Sequence, residues 1–124
     1  MAVIQSFRDL IVYQKAYRLA LEVFEVSKDF PKEEKYALTD QIRRSSRSVA
    51  ANIAEAWARK LYVKAFVSKL IDSLGEEYET EVWLDFAKDH QYLSQETHQR
   101  LITDYHEVRK ILISMTTNPE KFFR

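Results

Sequence analysis

One glycine, Gly75, and two prolines, Pro31 and Pro119, punctuate a chain of 124 residues. Tight hairpin turns draw on residues that accept a positive φ or arrive with φ fixed, so a chain this poor in both lacks the punctuation of an all-β fold. Long helices joined by a few short breaks remain. Residues 1–124 have the size of a single domain, and one core of that length buries roughly two-thirds of the unfolded chain's surface. A composition 46% apolar and 31% charged is that of a soluble helical domain.

Apolar spacing predicts where the helices lie. Over about 9–29, Leu10, Tyr13, Tyr17, Ala20 and Phe24 recur at three and four, and Ala16, Leu19, Val23, Val26 and Phe30 trace a second stripe beside them. Two stripes imply a wide buried arc, which Phe30-Pro31 ends because the residue before proline is pushed out of the α region. The second helix, about 35–58, sets Leu38, Ile42, Val49, Ile53 and Trp57 on one face. The third, 63–89, carries Val63, Val67, Ile71, Leu74, Tyr78, Val82 and Phe86 in an unbroken line, the strongest periodic signal in the chain. Ser94 is a candidate N-cap for a fourth helix over 95–117, where Leu101, Tyr105, Val108, Leu112 and Met115 recur and Asn118-Pro119 is the stop. Residues 120–124 are left as a tail. Four amphipathic helices with short connections predict an all-α, antiparallel up-down four-helix bundle.

Several kinds of chemistry have no carrier here. Without cysteine there is no disulfide, thiolate zinc site or cysteine nucleophile. A carboxylate-bridged dimetal centre in a bundle needs Glu-x-x-His pairs, yet the residues three before His90, His98 and His106 are Ala87, Gln95 and Thr103. The histidines are therefore expected at the surface or at an interface. One glycine cannot build a phosphate-cradling loop, and neither Gly-x-Ser-x-Gly nor His-Glu-x-x-His occurs. No catalytic residue, metal, cofactor or small-molecule substrate is expected. The first residues lack a basic start leading into an apolar run, and no stretch is long and apolar enough to span a bilayer, so the expected place is the cytoplasm, away from membranes.

Charge is more informative than chemistry. Lys plus Arg and Asp plus Glu both total 19. Residues 41–71 nevertheless hold Arg43, Arg44, Arg47, Arg59, Lys60, Lys64 and Lys69 against Glu55 alone, and residues 72–89 hold seven acids against Lys88 alone. The basic block reads either as a phosphate-binding surface, with Arg43, Arg44, Arg47, Arg59, Lys60 and Lys64 as contacts to RNA or DNA, or as the counterpart that neutralises the acidic block. Neutralisation is the favoured reading. On the second helix Ala51, Ala54 and Ala58 continue the side of Arg43, Arg44 and Arg47, and small residues there suit close approach of another helix in a subunit interface. Gln41, Ser48, Asn52 and Glu55 form a polar stripe flanking the core face, more consistent with an interhelical network than with recognition.

Phe7-Arg8-Asp9-Leu10, Phe30-Pro31, Gln41-Ile42-Arg43-Arg44, Ser48 and Asn52-Ile53-Ala54-Glu55-Ala56-Trp57 resemble the four helix bundle protein family, first met as reading frames inside intervening sequences of bacterial large-subunit ribosomal RNA. Glu79-Thr80, Trp83-Leu84-Asp85-Phe86-Ala87 and Tyr92-Leu93 are similar to its third helix and following turn. The resemblance implies a bundle that assembles as a homopentamer, and a distant likeness to an accessory protein of diversity-generating retroelements that binds nucleic acid through a basic surface. It makes Gln41, Arg43, Arg44, Ser48, Asn52, Glu55 and Glu79 signature polar residues, and Glu79 a further candidate for the polar network. Many relatives have glycine where Ala56 stands, which here predicts a second helix about a turn longer. The expected function is a non-catalytic homo-oligomer whose basic second helix contacts RNA or DNA; the alternative is an oligomeric protein-interaction scaffold that binds no nucleic acid.

Overall fold

A computed structural model describes residues 3–122. Four helices form, α1 (Ile11–Ser27), α2 (Leu38–Ala58), α3 (Val63–Asp89) and α4 (Gln95–Thr117), with no strand among the described residues. Each helix packs on the next and α4 returns to α1, giving the predicted four-helix bundle with a square cross-section.

Local chemistry moves two of the expected starts. Asp9 does not open α1. Its carboxylate accepts from the backbone N–H groups of Ser6 (3.1 Å) and Gln5 (2.8 Å), closing a capping box around the short 3-10 turn Phe7–Asp9, and extended Leu10 delays the helix to Ile11. A second 3-10 turn, Lys32–Glu34, occupies the expected start of α2, which begins only at Leu38, whose N–H donates to Glu34 Oε1 at 3.3 Å. Ser94 caps α4 as expected, accepting from Thr97 N–H at 3.0 Å. α2 runs unbroken through fully buried Ala56 to Ala58. Pro119 stops α4, and Pro119–Phe122 form a further 3-10 turn, so the expected tail is ordered as far as it is described; residues 123 and 124 lie outside the described residues.

The larger surprise is the orientation of α3. Its buried line is Phe66, Leu70, Ser73, Glu77, Thr80, Leu84 and Ala87, spaced 4-3-4-3-4-3. That mean of 3.5 keeps a side chain facing its partner helices along the whole length of a bundle. The apolar line that dominates the sequence steps mostly by four and slews around the helix. It ends up outside: Val63, Ile71, Tyr78, Val82 and Phe86 are 45–53% exposed, and only Val67 and Leu74 pack against the core. Small polar groups on α2 make the buried polar line of α3 tenable. Ser45 and Thr80 hydroxyls lie 2.8 Å apart, and Ser73 Oγ donates to Val49 O at 2.7 Å, so their polar atoms are satisfied without water.

Candidate interaction surfaces

A groove of about 550 Å³ runs between α1 and α2. Tyr13, Tyr17, Leu21 and Phe24 wall it on the α1 side, and Ala50, Ala51 and Ala54 floor it on α2, with Arg47 at one end. Those aromatics belong to the first of the two α1 stripes; the second supplies the core through Ala16, Leu19 and Val23. Of the three interface candidates, Ala51 and Ala58 are exposed and Ala54 is half-buried.

The arginines do not share one face. Arg43 and Arg47 turn toward α1, their guanidinium carbons 4.4 and 5.6 Å from the Phe24 ring centroid, and Arg43 Nε donates to Ser27 Oγ at 2.7 Å. Arg44 turns the other way, onto α3. There it meets Glu79, lies 3.2 Å from Glu76, and donates from Nε to Gln41 Oε1 at 3.3 Å. Burial works against its charge, but Glu79 and Glu76 more than offset this and raise its pKa. Trp83 Nε1 donates to the same Glu79 carboxylate at 3.1 Å, so Gln41, Arg44, Glu76, Glu79 and Trp83 form one interhelical network. The other polar candidates stand apart from it. Glu55 pairs with Lys69 at 3.4 Å, and Asn52 donates within α2 to Ser48 O at 3.0 Å.

The rest of the basic block gathers at the α2–α3 turn. Arg59 and Lys60 follow the C-terminus of α2, and Lys64 opens α3. Lys60 Nζ stacks 3.7 Å from the Trp57 ring centroid, while Leu61 and Tyr62 project into solvent. Arg59 and Lys60 complement the negative end of the α2 dipole, an ordinary structural role. Lys64 stands in the first turn of α3, where a cation opposes the dipole and no acid is present.

The ridge on α3 turns around the helix as it runs. Lys69, Glu76 and Glu79 occupy the α2 side, whereas Tyr78 lies beneath Arg109 of α4, 5.8 Å from guanidinium carbon to ring centroid. Further along, Phe86 stacks 6.0 Å from the Trp83 ring, on the side of α3 that carries Glu79.

Inside the bundle Glu77 is fully buried, and neither carboxyl oxygen accepts a hydrogen bond among the described residues. Burial raises its pKa first, Glu81 raises it further by hydrogen bonding and repulsion, and Arg109 pulls against them; the result is about 9. The Glu81 carboxylate beside it faces Arg109 (3.6 Å) and His106 (3.2 Å). Burial also raises the pKa of the enclosed Tyr105 hydroxyl. One histidine departs from the expectation of a surface position: His98 is buried, its Nε2 2.8 Å from Asp85. His106 is half-buried, and His90 is exposed, stacked near Phe86 and Tyr92.

Among the described residues no group of three histidine, aspartate or glutamate side chains is placed to hold a metal ion, and no helix is long and apolar enough to cross a membrane. Glu77, Ser73 and Thr80 escaped the sequence reading because polar residues on a strict heptad look like solvent positions. Their signal is the 4-3 spacing they share with Phe66, Leu70, Leu84 and Ala87.

Comparison with known proteins places this architecture. A crystal structure of a protein with unknown function from the S23 ribosomal protein family of Bacteroides thetaiotaomicron VPI-5482 is 31% identical and superposes with a TM-score of 0.78, covering 86% of this chain and 96% of that one. Among curated proteins, none matches. The profile of the 23S rRNA-intervening sequence proteins matches residues 8–114, which include the helix-joining network, the arginines and the ridge. The chain belongs to the 23S rRNA-intervening sequence protein family.

Proposed function

We propose that this protein is a non-catalytic, self-assembling helical bundle of the cytoplasm, a homopentamer as its family resemblance implies, and that the outward face of α3 is a subunit interface. One observation carries this reading: the longest apolar line in the chain is half-exposed on α3, while Ser73, Glu77 and Thr80 take the middle of that helix's buried line. A ridge running from Val63 to Phe86 spans about 35 Å of helix. Covering its five half-exposed side chains would contribute roughly 1 kcal/mol each. Exposed apolar surface of that continuity marks an interaction site on a folded protein. Light scattering at tens of micromolar tests the proposal. The expected mass is a multiple of the 14.7 kDa subunit, and a mass of one subunit contradicts it.

A second reading, contact with RNA or DNA, is favoured by Arg59, Lys60 and Lys64 at the α2–α3 turn beside Trp57 and Tyr62. Cations interleaved with aromatics suit phosphates and unstacked bases. Arg44 is removed from this surface by its carboxylate partners, and Arg43 is half-buried against Phe24. Titration of labelled RNA and DNA at about 50 and 200 mM salt tests it, with steep loss at the higher salt expected. The triple variant Arg59→Ala/Lys60→Ala/Lys64→Ala should lose binding. No binding at the lower salt leaves the scaffold reading, in which the assembly presents protein-binding surfaces only.

A further inference from the structure

We propose that the end of the bundle where the α2–α3 turn meets residues 3–11 docks onto an anionic lipid surface. Such docking needs no self-assembly. Topology fixes what lies at this end. In an antiparallel bundle the starts of α1 and α3 and the ends of α2 and α4 come together, so Val3, Ile4 and Ile11 share it with Leu61, Tyr62 and Val63. All six side chains are exposed, and Leu61 is the most exposed large apolar side chain among the described residues. Ile4 and Ile11 also line an open furrow of about 580 Å³ against the last turns of α4, so apolar surface continues from the tip along one side.

Charge identifies the occupant. Two helix N-termini and two C-termini meet here, so their dipoles largely cancel and the side chains decide the field. Arg8 and Lys121 are matched by Asp9 and Glu120, which leaves Arg59, Lys60 and Lys64 in excess, with no ion pair to any of the three among the described residues. At the opposite end Lys28, Lys32 and Lys35 are matched by Asp29, Glu33 and Glu34, and Tyr36 is the one large apolar side chain that the connections there expose among the described residues. The bundle is thus basic and apolar at one end only.

Cations around a projecting apolar tip suit an anionic bilayer, whose headgroup phosphates attract Lys and Arg while Leu and Tyr enter the boundary between headgroups and acyl chains. Half-buried Trp57, stacked with Lys60, adds an aromatic ring of the kind that settles at that boundary. Nucleic acid would use the same cations. Five of the six exposed side chains are aliphatic, however, and aliphatic groups offer bases no stacking platform. Among the described residues no helix is long and apolar enough to cross a bilayer, and a surface contact needs no such span, so the expectation of a protein away from membranes gives way here to a peripheral one.

With no cysteine in the chain, one environment-sensitive fluorophore can be placed at either end. Leu61→Cys and Tyr36→Cys, at positions 85% and 84% exposed, serve as matched reporters. Vesicles of phosphatidylcholine with about one-third phosphatidylglycerol should shift the emission at 61 to the blue and leave that at 36 unchanged; phosphatidylcholine alone should shift neither. Flotation of the unlabelled chain with the same vesicles gives the partition. Arg59→Gln/Lys60→Gln/Lys64→Gln should lower it about a hundredfold, at roughly fivefold per cation. Leu61→Ser/Tyr62→Ser should lower it at least about tenfold. Both sets of positions lie at the turn, and circular dichroism verifies that the variants fold. Wild type that stays off anionic vesicles, equal shifts at 36 and 61, or a Leu61→Ser/Tyr62→Ser chain that binds as wild type does overturns the proposal. A reporter at 61 that answers RNA or DNA but not vesicles overturns it too, and assigns this end to nucleic acid.

Discussion

Arg44 on α2 forks onto α3, one guanidinium nitrogen meeting Glu79 and the other 3.2 Å from Glu76. The basic and acidic blocks of the sequence thus neutralise each other within one subunit at this point, and the arginine between Arg43 and Arg47 in the sequence is withdrawn from any phosphate. Arg44→Ala should lower stability by about 1 kcal/mol, a modest figure because the guanidinium is 45% exposed and solvent screens the pair. Arg44→Lys should recover only part of the loss, since an ammonium cannot fork onto two carboxylates. Urea midpoints of the three chains measure both effects. Affinity for nucleic acid, if present, should not change.

Glu77 gives stability a definite pH dependence. In the folded chain it stays protonated up to about pH 9, and in the unfolded chain it ionises near 4.5. Between those values the unfolded state holds fewer protons, so stability falls as pH rises, by at most about 1.4 kcal/mol per unit. The stability tied to the neutral carboxyl is fully present below pH 4.5 and is lost as pH climbs toward 9. Glu77→Gln removes this dependence, and the difference in urea midpoint between wild type and variant should widen from pH 5 to pH 8 in the variant's favour. Arg109 and His106 remain in both chains, so the difference reports the buried Glu77–Glu81 pair. A constant difference across that range would assign the slope to other groups.

Much of the bundle was legible in the sequence, for physical reasons that also explain what was not. The start and the end of α4 could be placed because Ser94 and Pro119 act on backbone groups only a few residues away. Asp9 misled because a capping box serves a 3-10 turn as well as a helix, and Lys35 because Glu34 reaches four residues forward to bond Leu38 N–H. The α3 ridge is a deeper case. Periodicity reports that a helix has an apolar face; it does not say whether that face meets the chain's own core or another surface. Here two lines of similar step run side by side, Ser73, Glu77 and Thr80 continuing the one that faces the core and Ile71 and Tyr78 the one that faces out, and only the packing of α2 and α4 chooses between them. The division of Arg43 and Arg47 from Arg44 was likewise hidden, since adjacent residues on a helix point about 100° apart and one neighbour settles each.

Ala54 distinguishes an interface from an ordinary helix surface. It is half-buried on the groove floor, with open space above it in a single subunit. Ala54→Leu should leave the melting temperature of dissociated subunits nearly unchanged. In the assembly the added side chain overpacks, at a cost of about 1–3 kcal/mol per contact. Mass as a function of concentration should show dissociation roughly ten- to a hundredfold earlier on dilution. An unchanged dissociation curve would mean that no helix rests on Ala54.

Self-assembly is tested most directly by mass. Sedimentation equilibrium at tens of micromolar should return five times the 14.7 kDa subunit for wild type. The variant Ile71→Lys/Val82→Lys, which puts charge on the outward face of α3, should return the mass of one subunit. Wild type at the mass of one subunit, or a variant that assembles as fully as wild type, would contradict the account.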